Sequence, residues 1–334
     1  MRKIVVSKNE AGQRLTKLLA KYMSEAPQSF FYKMLRKKNI TLNGKKADGT
    51  EMLVQEDEIC LFLSEETIEK FTKKQEPANR SAEKEKDVLS LIARSRILYE
   101  DEDVMLINKP LGILSQKAEP GDSSANEWVI AYLLKTGTLT QDNLKSFRPG
   151  VCNRLDRNTT GILIAGKSLL GLQTMSALLK ERSLYKEYET IVCGELRTPS
   201  RVTGYLQKDE KTNRVRITDR KETENASLIE TEYLPVKSNG AYTLLKVHLI
   251  TGKTHQIRAH LAYLGHPLLG DTKYGNKRIN QEMAQRFELH FQLLHAARLV
   301  FPKQMEHCEA LAGKSIQAPR PAQFQQIAAG LGLL

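Results

Sequence analysis

The sequence has no paired cysteines. Its four, Cys60, Cys152, Cys193 and Cys308, stand apart with no Cys-x-x-Cys spacing. That argues against a disulfide framework or a cysteine-built zinc site and fits a reducing compartment. No apolar run approaches the ~20 residues of a membrane span. The opening Met1-Arg2-Lys3-Ile4-Val5-Val6 turns polar too soon for a secretory leader. A cytoplasmic location is expected, without a membrane partner. The dinucleotide Gly-x-Gly-x-x-Gly motif and the zinc-protease His-Glu-x-x-His motif are missing. His255 and His260 are five apart on a predicted helix, where one metal needs i and i+4. A helix-capping or packed histidine is the plainer reading, and no metal is expected. A glycosidase needs two facing carboxylates. The one loop that draws attention supplies a single carboxylate.

What the chain does have is length and positive charge. Its 334 residues allow about two domains. The net charge of +12 favours a polyanionic partner, bound through phosphate contacts and counterion release.

Leu15, Leu18, Leu19 and Tyr22 fall at helical spacing within Arg14 to Met23. Ser29 is placed to N-cap a second helix through Lys38, with Phe30, Met34 and Leu35 inward and Arg36, Lys37 and Lys38 at its end. Cations there also suit the helix dipole. Ile40-Thr41-Leu42, then Asn43-Gly44, then Lys45-Lys46 predict a hairpin, and Glu58 to Leu63 a closing strand. From Glu65 to about Lys86 the composition is that of a tether.

Strands are predicted over Asp103–Ile107, Ile162–Ala165, Lys186–Cys193, Tyr242–Ile250 and Leu294–Phe301, and helices from Trp128, Ser168 and Ala322. Thr254 is placed to cap a helix over His255–Leu264, with Gly265 after it. On that helix Ile257, Leu261 and Leu264 share the core face. Arg258 lies about 100° round from Ile257, at the edge of that stripe.

The stretch that organises the chain is Arg154-Leu155-Asp156-Arg157-Asn158-Thr159-Thr160-Gly161. It sets a carboxylate between two arginines at the mouth of a buried strand. Alone, Asp156 could be a turn or capping residue, Tyr188 a half-buried strand tyrosine and Arg258 a surface arginine.

Three further blocks follow: Lys186-Glu187-Tyr188, His255-Gln256-Ile257-Arg258-Ala259-His260-Leu261, and Gly265 to Gly275. With Asn108-Lys109-Pro110-x-Gly112 and Leu294-His295-Ala296, their order and spacing resemble the RluA-type pseudouridine synthases of the RluC/RluD-like kind. The resemblance covers about residues 96–325. Residues 12–63 resemble the S-four-like RNA-binding module of a small-subunit ribosomal protein. Departures are Asn153 where histidine is common, Thr160 before Gly161 in place of serine, and Gln116 in place of histidine. None touches the carboxylate.

The resemblance implies an α+β fold. A small N-terminal α/β S-four-like domain spans 1–64, a charged linker 65–95, and a catalytic domain with a mixed, mainly antiparallel sheet 96–334. It implies isomerisation of uridine to pseudouridine in structured RNA, with ribosomal RNA the leading target and transfer RNA the other. No cofactor is implied, and a monomer is expected. Asp156 would act at the ribose of a flipped-out uridine, by covalent addition or by proton removal. Tyr188 would stack on the base and assist proton transfer, and Arg258 would pair with Asp156. Arg154 would hold backbone phosphate or help extrude the base. Arg14, Arg36, Lys37, Lys38 and Lys45 of the N-terminal module, with Lys109 and His255, are expected at the RNA. Flipping a base costs a few kcal/mol, which cations over phosphates and an aromatic against the base offset. The rivals are a non-catalytic RNA-binding or ribosome-assembly protein and a base glycosylase that releases uracil.

Overall fold

The structure is a computed structural model that describes residues 1–7, 9–72, 87–119, 121–209, 212 and 214–334. The N-terminal body contains strand β1 (Arg2–Val5), helices α1 (Leu15–Tyr22) and α2 (Gln28–Arg36), and strands β2 (Ile40–Leu42), β3 (Lys45–Lys46) and β4 (Glu58–Leu61). The sheet runs β1-β4-β2-β3, antiparallel throughout. Leu15, Leu18 and Leu19 of α1 and Phe31 and Leu35 of α2 pack on Ile40, Ile59 and Leu61 of the sheet. Each such buried side chain contributes about 1.5–3 kcal/mol. Asn43 and Gly44 both adopt positive φ, 50° and 71°, the turn that matches the twist of a two-residue hairpin. Arg14, Arg36, Lys37, Lys38 and Lys45 are all exposed.

Three local expectations fail here. The N-cap of α2 is Pro27, without a side-chain cap bond, so Ser29 lies inside the first turn. Phe31 is fully buried while Phe30 is only half-buried against the cluster. The expected linker is also shorter at both ends. Ser64 caps helix α3 (Glu65–Phe71), whose Ile68 is buried in the N-terminal core. On the far side, Val88, Leu89, Leu91 and Ile92 pack on the core of the second body. Single apolar residues in a charged stretch are enough to dock it when their periodicity matches a face. Most of the remaining linker, residues 73–86, lies outside the described residues.

The second body is built on β5 (Ile97–Glu100), β6 (Val104–Lys109), β7 (Gly150–Val151), β8 (Thr160–Gly166), β9 (Tyr185–Cys193), β10 (Ser200–Asp209), β11 (Arg214–Thr218), β12 (Ser227–Ser238), β13 (Tyr242–Leu249), β14 (Leu294–Val300) and β15 (Ser315–Gln317). Its helices are α4 (Ala125–Lys135), α5 (Asn143–Ser146), α6 (Leu169–Lys180), α7 (Gln256–Tyr263), α8 (Lys277–Phe287) and α9 (Ala322–Gly330). The strand order is β11-β10-β12-β13-β9-β14-β8-β6-β5, with β15 on β14 and β7 on β8. Among these pairings only β14 with β8 is parallel, so the sheet is mixed and mainly antiparallel, as expected.

The run Ile162-Leu163-Ile164-Ala165 is continuous because β8 is covered on both faces. Leu163 and Ala165 join Trp128 of α4 on one face, and Ile162 and Ile164 join Met175 of α6 on the other. Ser168 caps α6 by accepting from the Gly171 N–H at 3.0 Å. Among the described residues no helix is long and apolar enough to cross a membrane.

Candidate active site

The loop carrying Asp156 sits immediately before β8 and is fixed at several points. Gly161 has φ +107°, and a Cβ there would lie 2.2 Å from the Ala296 carbonyl oxygen on β14. Only glycine lets the two strands close to that distance. The Ser115 hydroxyl donates to the Leu155 carbonyl at 2.9 Å and accepts the Leu155 N–H at 3.0 Å. The Thr159 N–H closes a turn on the Asp156 carbonyl at 3.0 Å. On the back of the sheet, Thr160 Oγ1 meets His295 Nδ1 at 2.8 Å, and His295 Nε2 faces the Ala318 carbonyl at 3.3 Å.

Lys109 belongs to this scaffold and not to an exposed surface, which corrects the expectation that the resemblance implied. It is fully buried at the end of β6. Its Nζ donates to the carbonyls of Arg157 (3.0 Å), Ile113 (2.7 Å) and Pro110 (3.1 Å). Burial pushes its pKa down to about 7, against the pull of the Asp156 charge. A buried cation tied to three loop carbonyls cannot reach a phosphate.

The Asp156 side chain keeps 27% of its surface open. Its ion partner comes from α7: Arg258 Nη1 donates to Asp156 Oδ2 at 2.7 Å. Arg258 is itself buried, and Asp271 holds its other edge, Nε to Oδ2 at 2.6 Å and Nη2 to Oδ1 at 2.9 Å. Burial opposes the guanidinium charge, but the two carboxylates outweigh it and raise its pKa. Burial also works against the Asp271 carboxylate. Arg258 and the N–H groups of Lys273 (2.8 Å) and Tyr274 (3.0 Å) outweigh that, holding its pKa below the usual value. The arginine is thus a fixed bridge with one hand left for Asp156.

His255 precedes α7 in a left-handed conformation, φ 53°, and makes no side-chain cap. Thr254 is therefore not the cap that the sequence suggested, because the helix begins two residues later, at Gln256. Leu264 is also more exposed than its place in the stripe implied, while Ile257 and Leu261 are buried. His255 Nε2 lies 3.8 Å from Asp156 Oδ2, and Nδ1 lies 3.0 Å from the Tyr274 hydroxyl. That hydroxyl also accepts the Val215 N–H at 2.9 Å. Burial lowers the His255 pKa, in keeping with a neutral ring. His255 faces the carboxylate rather than open solvent.

Tyr188 stands on β9, its ring buried with Leu163, Ala296 and Ile257. Burial first, and then the Asp156 charge, raise the pKa of its hydroxyl. Arg154 and Arg157 are exposed, and neither is an ion-pair partner of Asp156. Arg157 Nε donates to the Gly112 carbonyl at 3.2 Å. The structure therefore brings Asp156, Arg258, His255 and Tyr188 together, and leaves Arg154 at the surface beside them. The sequence reading assigned no role to Asp271, Tyr274 or Ser115. The first two lie within the quoted Gly265–Gly275 block, so a signal was present. Ser115 had none.

A part-open carboxylate aimed by a buried arginine, with a tyrosine close by on a mixed sheet, is an arrangement able to do acid–base or nucleophilic chemistry. Comparison with known proteins gives the class. Residues 103–263 match the family model described as RNA pseudouridylate synthase. The chain is 30% identical over 340 residues to the Ribosomal large subunit pseudouridine synthase C of Pasteurella multocida (strain Pm70), covering 98% of this chain and 93% of that protein. It is 29% identical over 332 residues to the protein of the same name from Vibrio vulnificus (strain CMCP6), covering 98% and 95%. Among solved structures, Human RNA Pseudouridylate Synthase Domain Containing 4 shares the fold, with a TM-score of 0.58 at 20% identity over 75% of this chain and 97% of that one. The chain belongs to the RluA family of RNA pseudouridine synthases.

Proposed function

We propose that this pseudouridine synthase acts on specific uridines of large-subunit ribosomal RNA, with Asp156 as the catalytic carboxylate. The observation that carries the assignment is the 2.7 Å contact from Arg258 to Asp156, made by an arginine already fixed on Asp271. The choice of RNA rests on the relatives named above, each a ribosomal large subunit pseudouridine synthase C. Asp156 acts at the ribose of a flipped-out uridine while the uracil detaches, rotates and re-bonds through carbon. Tyr188 packs against that base, and the partly open face of Asp156 is where the sugar is presented. Exposed Arg154 meets backbone phosphate at the rim. A closed, dry pocket keeps water from capturing the freed sugar.

The N-terminal body serves as an S-four-like RNA anchor. Arg14, Arg36, Lys37, Lys38 and Lys45 are exposed along its helices and hairpin, where they meet phosphates. With α3 docked on its core, the module extends to residue 72. The enzyme acts as a monomer in the cytoplasm, where ribosomal RNA is found. Incubation of purified protein with unmodified large-subunit rRNA, followed by carbodiimide-dependent primer-stop mapping, tests the reading. New stops at discrete uridines with unchanged RNA mass are expected. Released uracil would indicate a glycosylase, and no stops a binding protein.

A further inference from the structure

The Lys186-Glu187-Tyr188 block leaves one residue without a role. Lys186 lies near the start of β9, two residues before Tyr188. Strand alternation sets both side chains on the same face, about 6.8 Å apart along the strand. Glu187 and Glu189 take the opposite face with cations of their own. Lys246 Nζ meets Glu187 Oε1 at 3.4 Å, and Arg320 holds Glu189 through two nitrogens. The carboxylates that adjoin Lys186 in sequence are thus turned away from it.

Lys186 is buried, at 9% exposure, yet it makes no hydrogen bond and no ion pair among the described residues. Its Nζ is not sealed from solvent, as the unpaired Trp128 Nε1 and Tyr233 hydroxyl are. A Cβ on Gly252 would stand 3.7 Å from that Nζ, and Gly252 is exposed. The ammonium therefore lies just beneath the surface, under the loop from β13 to α7. That loop is pinned, because the Thr251 hydroxyl and the Lys253 N–H both donate to Gln256 Oε1, at 2.9 and 3.1 Å. The same loop delivers His255 and Arg258 to Asp156. Burial pushes the Lys186 pKa down to about 8, and the Arg182 guanidinium beyond the end of α6 pushes the same way. A buried charge is ordinarily paired. A cation left unpaired beside a second cation calls for an anion from outside the chain.

We propose that Lys186 is a substrate-binding residue of the catalytic site, its ammonium gripping a phosphate that adjoins the ribose of the target uridine. This rests on the proposed function, which makes RNA the substrate. A nucleotide that presents its ribose to Asp156 and its base to Tyr188 carries a phosphate on either side of that ribose. One strand repeat from Tyr188, Lys186 is placed to meet one of them. Held in a partly desolvated position, it grips that phosphate more strongly than a cation at the open rim.

The test uses the full-length protein and a short synthetic rRNA segment around a uridine that it converts. Lys186→Met removes the charge and keeps the bulk of the side chain, whereas Lys186→Arg keeps the charge. Two further segments each carry an uncharged methylphosphonate at one of the phosphates flanking that uridine. Lys186→Met should weaken binding of the unmodified segment about ten-fold or more, the loss of a charge-assisted contact. Lys186→Arg should recover most of it. One methylphosphonate should weaken the wild type by a similar factor and cost Lys186→Met nothing further, a non-additive cycle. Additive losses, methylphosphonates without effect, or a Lys186→Met variant that binds like wild type would overturn the proposal. Unfolding separates a merely structural lysine. Loss of an unpaired buried charge should raise the urea midpoint of Lys186→Met, and a fall would mark the residue as structural and overturn its role at RNA. If the wild type converts no uridine, the proposed function fails and takes this inference with it. If the wild type converts normally and the cycle is additive, the role of Lys186 alone fails.

Discussion

Arg258 reaches Asp156 with one nitrogen, at 2.7 Å, while its other two nitrogens are held by Asp271 at 2.6 and 2.9 Å. The guanidinium fork is what makes this possible, since a single ammonium cannot span both carboxylates. Arg258→Lys should therefore lower the rate of conversion about 10²-fold or more, the scale of a misplaced reacting group. RNA affinity should change little. Single-turnover kinetics beside filter binding separates the two, and a variant of near-normal rate would remove Arg258 from the account.

Asp271 is a positioning residue in this scheme, because it touches Arg258 and not the space beside Asp156. Asp271→Asn leaves a buried arginine with one carboxylate instead of two. Breaking such a buried pair costs about 3–5 kcal/mol, so the midpoint of denaturant unfolding should fall. In the fraction that remains folded, kcat should drop with KM near wild type. Asp271→Glu should recover part of the rate. A loss of stability without a change in kcat would make Asp271 purely structural.

Lys109 offers a contrast between charge and burial. Lys109→Met removes three hydrogen bonds to loop carbonyls and should destabilise the protein by about 3 kcal/mol or more. Conversion should fall as the loop loosens. The salt dependence of RNA binding should not move, whereas a phosphate-contacting lysine would lower its slope by about one. A lowered slope would return Lys109 to the RNA surface.

Much of this architecture was legible in the sequence. The continuous run in β8 marks a strand covered on both faces, and β8 is so placed. The alternation in Tyr242–Leu249 marks one covered face, with Leu245, Val247 and Leu249 in one cluster, but the other face is covered too at its start, where Leu244 is buried in a second cluster. The contact between Asp156 and Arg258, on separate elements of the chain, was reached from the ordered blocks and not from periodicity. Periodicity reports which face a residue occupies and is silent on which element lies opposite. The failures have the same origin. Lys109 and Arg154 look alike as charges in loops, yet one is buried and the other exposed. Ser29 and Thr254 have the chemistry of caps, but the helices begin after Pro27 and His255. A capping preference of about 1 kcal/mol yields to the packing of the helix behind it.

His260 gives the protein an acid limit. It is buried on α7, with Nδ1 3.2 Å from Thr231 Oγ1, and burial pushes its pKa down from the usual 6.5 to about 4. The unfolded chain takes up a proton as pH falls through 6.5, while the folded protein holds it off until about 4. Stability is therefore lost across that window, by up to about 3 kcal/mol from this residue. His295, buried and shifted in the same direction, adds to the loss. Urea unfolding at pH 7 and pH 4.5 should show the drop, and His260→Gln should make it shallower. An equal drop in the variant would assign the acid limit elsewhere.

The central claim is that Asp156 performs the chemistry while the rest of the site places it. Asp156→Asn keeps the shape of the side chain and removes its charge. Pseudouridine mapping of unmodified large-subunit rRNA after incubation with this variant, beside its RNA affinity, tests that claim most directly. The account predicts no conversion at any uridine that the wild-type enzyme modifies, with affinity close to wild type. Continued formation of pseudouridine by the variant would contradict it.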